Sequence, residues 1–475
     1  MTLKDFTKIS DYLWEIPKSF SPDMKVPARI YADAKMLEET FKDRSLEQLV
    51  NVAALPGIQK YALAMPDIHE GYGFPIGGVA ATAVTDGVIS PGGVGYDINC
   101  GVRLLASEFS YNEIRPQLES LANQIQRDVP SGLGRGGRMK LNNSELDQIL
   151  NKGMKRLLES GYAEPADLEY CEAEGSLSQA QAEDVSSKAK SRGRDQIGTL
   201  GSGNHFLEIQ KVGEIFDEKT AEVFGLFKDR IAIMIHTGSR GLGHQVATDY
   251  IQLMMRSMPK YNIQLPDREL ACVPSTSAEG QKYFRAMSAA ANFAWSNRQL
   301  ITHLIRQAWE RILGQTAGKL SVIYDIAHNI AKVEEYDGIK VCVHRKGATR
   351  AFGPSHPEIP QKYRATGQPV LIPGSMGTAS YVLAGTKQAE ETFYSACHGA
   401  GRTMSRHAAL RQIRGPELKQ ELEKKGVIIK AASIKDLAEE APFAYKNVDN
   451  VVSVVHYAGI AKKVARLIPL AVIKG

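Results

Sequence analysis

Four short β-rich runs, each joined to a polar loop that contains glycine, constrain the fold of this chain more than any other feature. They are GTLGSGNHFLEI at 198–209, RIAIMIHTGSRG at 230–241, LSVIYDIAHN at 320–329 and PVLIPGSMGTASY at 369–381. Runs rich in apolar and β-branched residues predict strands. Ligand-binding groups tend to gather in the loops at strand ends. The chain is therefore predicted to place several polar side chains at strand ends.

Helical periodicity separates these strands. Apolar positions recur at helical spacing over 34–52, 112–127, 144–159 and 283–313, and a basic helical segment follows at 402–425. A glycine-dense stretch from Pro66 to Gly101 interrupts short β-rich runs, and we expect it to form loops and turns around a site. The predicted class is α+β, with mixed β-sheets surrounded by helices.

The domain count follows from the spread of these segments. The sequence has no internal repeat and no low-complexity linker, and its only candidate boundary, at 414–440, is weak. A chain of 475 residues with 43% hydrophobic and 23% charged residues can bury a large core. We expect one domain spanning residues 1–475.

Composition also bears on location and partners. No apolar run reaches membrane-spanning length and the N-terminus lacks an apolar segment, so the expected location is cytoplasmic and no membrane partner is expected. The five cysteines show no pairing pattern, which predicts free thiols. A net charge of +5 permits an anionic partner but does not identify RNA.

Five residues form a candidate metal-ligand set. Asp97 and Cys100 lie three apart between glycines, and His205, His236 and His328 each fall at a predicted strand edge beside glycine or asparagine. Oxygen, sulfur and nitrogen donors together suit a divalent transition metal without distinguishing Mn from Zn or Fe. The alternatives are a capping aspartate beside a buried cysteine, and histidines with structural roles. For the other histidines a structural or surface role is expected: His69, His244, His303, His344, His356, His407 and His456.

His398 is the candidate nucleophile. It lies in ACHGAGR, where small residues expose backbone N–H groups that could bind phosphate, and Arg402 follows four residues later. A neutral imidazole can attack phosphorus when a divalent ion withdraws charge from the phosphate oxygens. The alternative is an ordinary glycine turn. The chain has neither a GxxxxGK[ST] phosphate loop nor a KxDG lysine nucleophile, so the common nucleotide chemistries are not encoded.

Eight ordered motifs resemble the RtcB family of RNA ligases, from about residue 24 to the last residue. They are MPDIHEGYGFPIGG (65–78), GGVGYDINCGVR (92–103), GSGNHFLE (201–208), HTGSRGLG (236–243), AHN (327–329), PGSMGTASY (373–381), HGAGR (398–402) and the terminal Lys474-Gly475. Because these motifs span nearly the whole chain, the resemblance also favours a single RtcB-like catalytic domain.

The resemblance implies a cofactor and a reaction. Two manganese ions are expected, one bound by Asp97, Cys100 and His205 and the other by Cys100, His236 and His328. His398 is expected to take GMP from GTP and to pass it to an RNA 3′-phosphate, itself formed by opening a 2′,3′-cyclic phosphate. An RNA 5′-hydroxyl then displaces GMP and the strands join, in tRNA splicing or RNA repair.

The same resemblance assigns the nucleotide and RNA contacts. Glu208 can accept hydrogen bonds from N1–H and the exocyclic amine of guanine, which adenine does not present. Asp67 is expected to hold His398 in the reactive tautomer. Arg240 and Arg402, and the loops around Arg135, Arg138, Lys190 and Arg192, could bind RNA phosphates, and the alternative for the loops is ordinary solvated surface charge. The full set expected at GTP is Asn204, His205, Phe206, Leu207, Glu208, His328, Asn329, Pro373, Gly374, Ser375, Met376, Ser380, His398, Gly399, Ala400, Gly401, Tyr445 and Lys474.

Two other functions remain open from the sequence. A metal-dependent phosphoesterase or cyclic phosphodiesterase would use the metal ligands without any nucleotide. A non-catalytic RNA-binding protein would keep the scaffold without turnover. The expected partners of a ligase are RNA ends, and family members often work with an activating protein called archease.

Overall fold

The computed structural model describes residues 1–132, 134–314 and 317–475. One sheet has seven strands in the order β1-β2-β3-β4-β5-β13-β12, antiparallel throughout except for the parallel pair β3 and β4. Its strands are β1 (Thr7–Ser10), β2 (Leu13–Ile16), β3 (Ala28–Tyr31), β4 (Ile58–His69), β5 (Ile76–Ala83), β12 (Asn329–Tyr336) and β13 (Ile339–Lys346).

A second sheet has eight strands and carries the site. Its order is β11-β7-β9-β8-β19-β16-β15, and β18 joins β19 as the single parallel pair in the described part of this sheet. Its strands are β7 (Gly101–Ser110), β8 (Phe206–Ile215), β9 (Arg230–Thr237), β11 (Ser321–Ala327), β15 (Pro369–Ile372), β16 (Ser380–Gly385), β18 (Ile428–Ala431) and β19 (Ala461–Lys474).

Two short strand pairs and the helices complete the fold. One pair joins β6 (Val88–Ile89) to β10 (Val273–Pro274), and the other joins β14 (Ala348–Arg350) to β17 (Ser395–Cys397). The α-helices are α1 (Ala34–Thr40), α2 (Ser45–Val52), α3 (Tyr111–Ile114), α4 (Leu118–Asp128), α5 (Asn143–Lys152), α6 (Met154–Glu159), α7 (Pro165–Glu169), α8 (Ser187–Gly193), α9 (Glu218–Phe224), α10 (Arg240–Ser257), α11 (Ala278–Leu313), α12 (Arg406–Leu410), α13 (Gly415–Lys424) and α14 (Val448–Tyr457).

Helix α11 is the longest and runs behind the site. Ser277 caps its first turn by accepting from the N–H of Gly280, and Gly314, with φ of +66°, ends it. The helix packs against α4, α5, α10 and β9. Its middle is buried on several sides, so its polar side chains there must find partners inside the protein.

The predicted α+β class is confirmed by these sheets and helices. One expectation about single elements needs correction. The predicted helices over 34–52, 112–127, 144–159 and 402–425 are each broken into shorter helices. The stretch 66–101 holds the end of β4, then β5 and β6, with turns and loops between them, so the predicted interruption of short β-rich runs is confirmed. Gly78 lies within β5, where a Cβ would come within 2.7 Å of the carbonyl oxygen of Pro75. Glycine there serves close packing and not a turn.

The single domain stays a prediction. The candidate boundary at 414–440 contains α13 and β18, which form a small hydrophobic cluster of their own. Strand β18 nevertheless pairs with β19, an interior strand of the second sheet. Within the residues described here, every helix is too short or too polar to cross a membrane.

Candidate active site

Four neighbouring strands, β11, β7, β9 and β8, each have a candidate ligand at the same end of the second sheet. Cys100 directly precedes β7 and His205 directly precedes β8. His236 is the second-to-last residue of β9, and His328 directly follows β11. Because neighbouring strands run antiparallel, the starts of β7 and β8 lie beside the ends of β9 and β11. The predicted position of these histidines at strand ends is confirmed.

The donor atoms of these residues converge. Sγ of Cys100 lies 3.5 Å from Nε2 of His205 and 3.3 Å from Nε2 of His236. Nε2 of His236 lies 3.4 Å from Nε2 of His328, and Nε2 of His205 lies 2.7 Å from Oδ2 of Asp97. The atoms that could each donate a lone pair to a metal ion therefore lie next to one another, as in a metal-binding site.

These donors divide into two overlapping groups that share Cys100. One consists of Asp97, Cys100 and His205, and the other of Cys100, His236 and His328, with all donor atoms of each group within 4.8 Å of one another. The residues fit a pair of divalent transition metals, since thiolate, imidazole and carboxylate are the ligands such ions take. A sulfur common to both groups is suited to bridge two ions.

Neighbouring groups orient two of these ligands. Nδ1 of His205 lies 3.1 Å from the carbonyl oxygen of Leu200, so this nitrogen carries the proton and Nε2 is left as an acceptor or ligand. Oδ1 of Asp97 accepts from the backbone N–H of Ser239 at 3.0 Å, which leaves Oδ2 directed at the centre.

Burial determines the protonation of the metal-ligand side chains when no metal is bound. It lowers the pKa of His236 and of His328 well below the ordinary value, so both imidazoles are neutral and their lone pairs are available. Burial and the charge of Asp97 raise the pKa of Cys100 well above its ordinary value. A bound cation would favour the thiolate, so proton release should accompany metal binding.

His398 and Asp67 form a second functional unit beside this centre. The His398 ring stacks at a tilt on His328, with centroids 4.9 Å apart. Nδ1 of His398 lies 2.6 Å from Oδ2 of Asp67, although the two are not aligned as a regular hydrogen bond. Burial alone would raise the pKa of Asp67, but His398, through its charge and hydrogen bonding, holds that pKa below its ordinary value.

The two units open into one cavity of about 400 Å³. Eighteen predicted site residues lie on its wall: Asp97, Cys100, Asn204, Phe206, His236, His328, Asn329, Pro373, Gly374, Ser375, Met376, His398, Gly399, Ala400, Gly401, Arg402, Tyr445 and Lys474. The structure therefore brings most of the predicted metal and nucleotide residues together.

Six predicted residues do not line the cavity, namely Asp67, His205, Leu207, Glu208, Arg240 and Ser380. Glu208 is buried behind the wall, where Nε2 of Gln210 donates to it at 2.6 Å and to Ser380 at 3.0 Å. Burial raises the pKa of Glu208 to about 8. Leu207 belongs to a hydrophobic core cluster, so its side chain offers no contact to a ligand.

The predicted RNA-binding arginines are largely engaged within the protein. Arg402 donates to Glu440 at 3.2 Å, to Tyr445 at 3.0 Å and to two backbone carbonyl oxygens. Arg240 is partly buried and donates to Thr199 at 3.3 Å.

Arg135 and Arg138 lie in a loop as expected, but Lys190 and Arg192 lie in α8 and not in a loop. Three of the four side chains have partners within the protein. Arg138 pairs with Asp128 and Lys190 with Asp147, each at 2.8 Å. Arg192 donates to Gln245 at 2.9 Å, and Arg135 is exposed.

Several cavity residues were not identified from the sequence. His69, expected to be structural, stacks on His398 with centroids 6.5 Å apart, and Tyr72, Tyr96, Lys346 and Glu440 also line the wall. His69, Tyr72 and Tyr96 fall inside two of the eight motifs, so motif membership was a usable signal for them. Lys346 and Glu440 fall outside every motif and gave none.

The fold and the site define an α+β protein whose largest sheet ends in a buried Asp/Cys/His centre of the kind that binds divalent metals, beside a histidine–carboxylate pair. A family model described as "tRNA-splicing ligase RtcB" matches residues 48–475. The tRNA-splicing ligases RtcB of Thermococcus kodakarensis and Archaeoglobus fulgidus are each 55% identical to this chain, over 98% of both sequences. That of Aeropyrum pernix is 53% identical over 98% of this chain and 99% of its own. The chain belongs to the RtcB family of tRNA-splicing ligases.

Proposed function

We propose that this chain is a GTP- and Mn²⁺-dependent RNA ligase that joins 2′,3′-cyclic phosphate or 3′-phosphate ends to 5′-hydroxyl ends. Residues 1–475 act as one catalytic unit in this proposal. Its RNA substrates are the ends produced in tRNA splicing, and broken RNAs that carry the same ends.

One observation carries the proposal: the His398 ring lies against a ligand of the candidate metal centre, and Asp67 lies behind it. A carboxylate at the second nitrogen would also suit a metal-bound imidazole, but His398 belongs to neither donor group and its ring lies on the cavity wall. The ring contact with His328, the 2.6 Å approach to Asp67 and the shared cavity support His398 as a nucleophile that attacks a phosphate held at the centre.

His398 begins the reaction. Asp67 favours the proton on Nδ1, so the lone pair is on Nε2, which attacks the α-phosphorus of GTP. A P–N bond forms, the bond to the β-phosphate oxygen breaks, and pyrophosphate leaves with the bonding electrons. Bound at Asp97, Cys100, His205, His236 and His328, divalent ions supply charge neutralisation at the phosphate oxygens.

The remaining steps return His398 to its starting form. An oxygen of the RNA 3′-phosphate attacks the phosphorus of GMP, the P–N bond breaks, and an RNA anhydride with GMP results. A 5′-hydroxyl oxygen of the second RNA end then attacks the RNA phosphorus and GMP leaves. The RNA 3′-phosphate is first joined to GMP because GMP is a far better leaving group than a phosphate oxygen.

The guanine site combines groups on the cavity wall with Glu208, which lies buried behind that wall. Glu208 accepts from N1–H and the exocyclic amine, which gives preference for GTP over ATP. Lys474 lies on the wall and its Nζ donates to the carbonyl oxygen of Gly203 at 2.5 Å, so its charge faces the nucleotide from the end of β19. Arg240 and Arg402 contribute to RNA phosphate binding.

The test is incubation with GTP labelled at the α-phosphate and Mn²⁺. We expect acid-labile label on the parent chain and none on His398→Ala or Cys100→Ala, with all three chains folded by circular dichroism. Joined RNA should appear only with GTP present. Archease, expected as an activator from the resemblance, is added in a parallel reaction, where faster labelling would identify it as a partner.

The alternative hypothesis, a metal-dependent phosphoesterase, makes opposite predictions in the same assay. It requires opening of a cyclic phosphate without GTP and no transfer of label to protein, and it gives Asp67 no role. A non-catalytic RNA-binding protein would bind RNA while giving neither label nor product at any Mn²⁺ concentration.

A further inference from the structure

A buried arginine on helix α11 holds two of the ligand-bearing loops together. Arg298 is fully buried, and its Nη1 donates to the backbone carbonyl oxygens of Asn99 and Thr237, each at 2.9 Å. Asn99 directly precedes Cys100, and Thr237 directly follows His236. One nitrogen therefore links the residues adjacent to two ligands that lie 136 positions apart in the chain.

The rest of the guanidinium is fixed as well. Nη2 donates to Oδ1 of Asn99 at 3.1 Å, and Nε donates to both carboxylate oxygens of Asp325 at 3.0 Å. Asp325 is also fully buried and lies on β11, the strand that leads to His328. The arginine thus reaches three of the four strands whose ends carry ligands.

The loop before Cys100 needs such support. Asn99 has φ of +53°, a left-handed conformation that non-glycine residues rarely adopt without tertiary contacts. Its N–H donates to the carbonyl oxygen of Asn329 at 2.6 Å, and its Nδ2 donates to that of Ala291 at 2.8 Å. The side chain and both backbone polar groups of Asn99 are therefore bound, and Arg298 holds two of these atoms.

We propose that Arg298 is a positioning residue for the metal centre, setting the distance between Cys100 and His236 by bridging the carbonyl oxygens of Asn99 and Thr237. The inference rests on the proposed metal centre. Arginine is required because its planar fork binds Asp325 and both carbonyl groups at once, whereas the single ammonium of lysine cannot.

Arg103 provides a matched control within the same buried ion pair. It is also fully buried and binds Asp325 at 2.7 Å, but its other contacts are to Gln299, Thr302 and Met154, away from the ligand loops. Arg103→Lys and Arg298→Lys therefore perturb the same carboxylate, and only the second removes the bridge between the two loops.

The experiment titrates the metal-free parent, Arg298→Lys and Arg103→Lys with Mn²⁺ by calorimetry and with Co²⁺ by absorption, alongside melting temperatures. We expect similar melting temperatures for the two variants, about 10- to 100-fold weaker metal binding for Arg298→Lys, and a changed Co²⁺–thiolate spectrum in that variant alone. Equal affinities and spectra in the two variants would overturn the inference while leaving the metal centre intact. A parent chain that binds no ion would overturn the metal centre as well.

A second variant covers the case in which Arg298→Lys does not fold. Asn99→Gly keeps the left-handed backbone conformation and the bridged carbonyl oxygen, but it removes the Oδ1 atom that Arg298 holds and the Nδ2 bond to Ala291. We expect weaker metal binding and a changed Co²⁺ spectrum, and parent-like values for both would count against the positioning role.

Discussion

Nδ1 of His398 lies 2.6 Å from Oδ2 of Asp67, although 331 residues separate them in the chain. The same oxygen accepts from the backbone N–H groups of His398 and Gly399, at 2.9 and 3.2 Å. One buried carboxylate therefore fixes both the ring and the backbone of the HGAGR loop. The charge of Asp67 is retained at low pH because His398 holds its pKa below the ordinary value.

Asp67→Asn should separate the orientation of His398 from its presence. The amide keeps the size of the carboxylate and one acceptor, but it removes the negative charge that favours Nδ1–H. We expect guanylation to slow by about 10²- to 10⁴-fold, as in hydrolase triads whose aspartate is changed to asparagine, whereas His398→Ala should abolish it. Single-turnover labelling with GTP measures the rate, and a rate within about twofold of the parent would contradict the role of Asp67.

Metal content should follow the two overlapping donor groups. Cys100 belongs to both groups and His328 to one. We therefore expect Cys100→Ala to lose both ions and His328→Ala to keep one. Elemental analysis after desalting measures this. The control is Cys342→Ala, which removes a buried thiol outside the centre and should keep both ions. Loss of both ions from His328→Ala would contradict two separable positions.

Glu208→Gln should stabilise the nucleotide-free chain at neutral and alkaline pH. Burial raises the pKa of Glu208 to about 8, so between pH 4.5 and 8 the unfolded chain gives up this proton while the folded chain keeps it. Folding stability is therefore lost as pH rises through that window, by up to about 1.4 kcal/mol per pH unit. Melting temperatures at pH 5 and pH 8 should differ more in the parent than in the variant.

The same substitution should weaken guanine recognition. Glutamine has one acceptor oxygen for two guanine N–H groups, so we expect KM for GTP to rise by about 10- to 100-fold and the preference over ATP to shrink. Unchanged discrimination between GTP and ATP would place guanine elsewhere in the cavity.

His344→Gln should reduce the acid sensitivity of folding. Nε2 of His344 accepts from the N–H of Ser90 at 3.1 Å, and Nδ1 lies 3.2 Å from the carbonyl oxygen of Ala80. Because Nε2 must be unprotonated to accept, this arrangement requires the neutral ring. Burial lowers the pKa of His344 to about 4, so the unfolded chain binds the extra proton first. Stability is then lost as pH falls from 6.5 towards 4.

Urea unfolding at pH 7.5, 6.0 and 5.0 measures this effect. We expect a shallower decline for His344→Gln, by up to about 1.4 kcal/mol per pH unit, even though the variant starts less stable. His407→Gln at an exposed position is the matched control and should keep the slope of the parent. Parallel curves for His344→Gln and the parent would contradict the assignment.

The sequence by itself determined the α+β class, the strands that lead to His205, His236 and His328, and the motifs that carry most of the cavity residues. These features are local, because an apolar run followed by a polar glycine loop specifies a strand end whatever packs against it. Family membership also followed from motif order alone.

Only the tertiary structure decided which strand ends meet, and therefore which donors lie within reach of one another. It also placed His69 beside His398 and put Lys346 and Glu440 on the cavity wall. It brought Arg298 into contact with the residues next to Cys100 and His236. Lys346, Glu440 and Arg298 have no local signature, since a buried charged residue is recognised only by partners distant in the chain. Strand order in the sheet and the path of α11 fix those partners, because a buried charged group must be paired by the neighbours that the fold supplies.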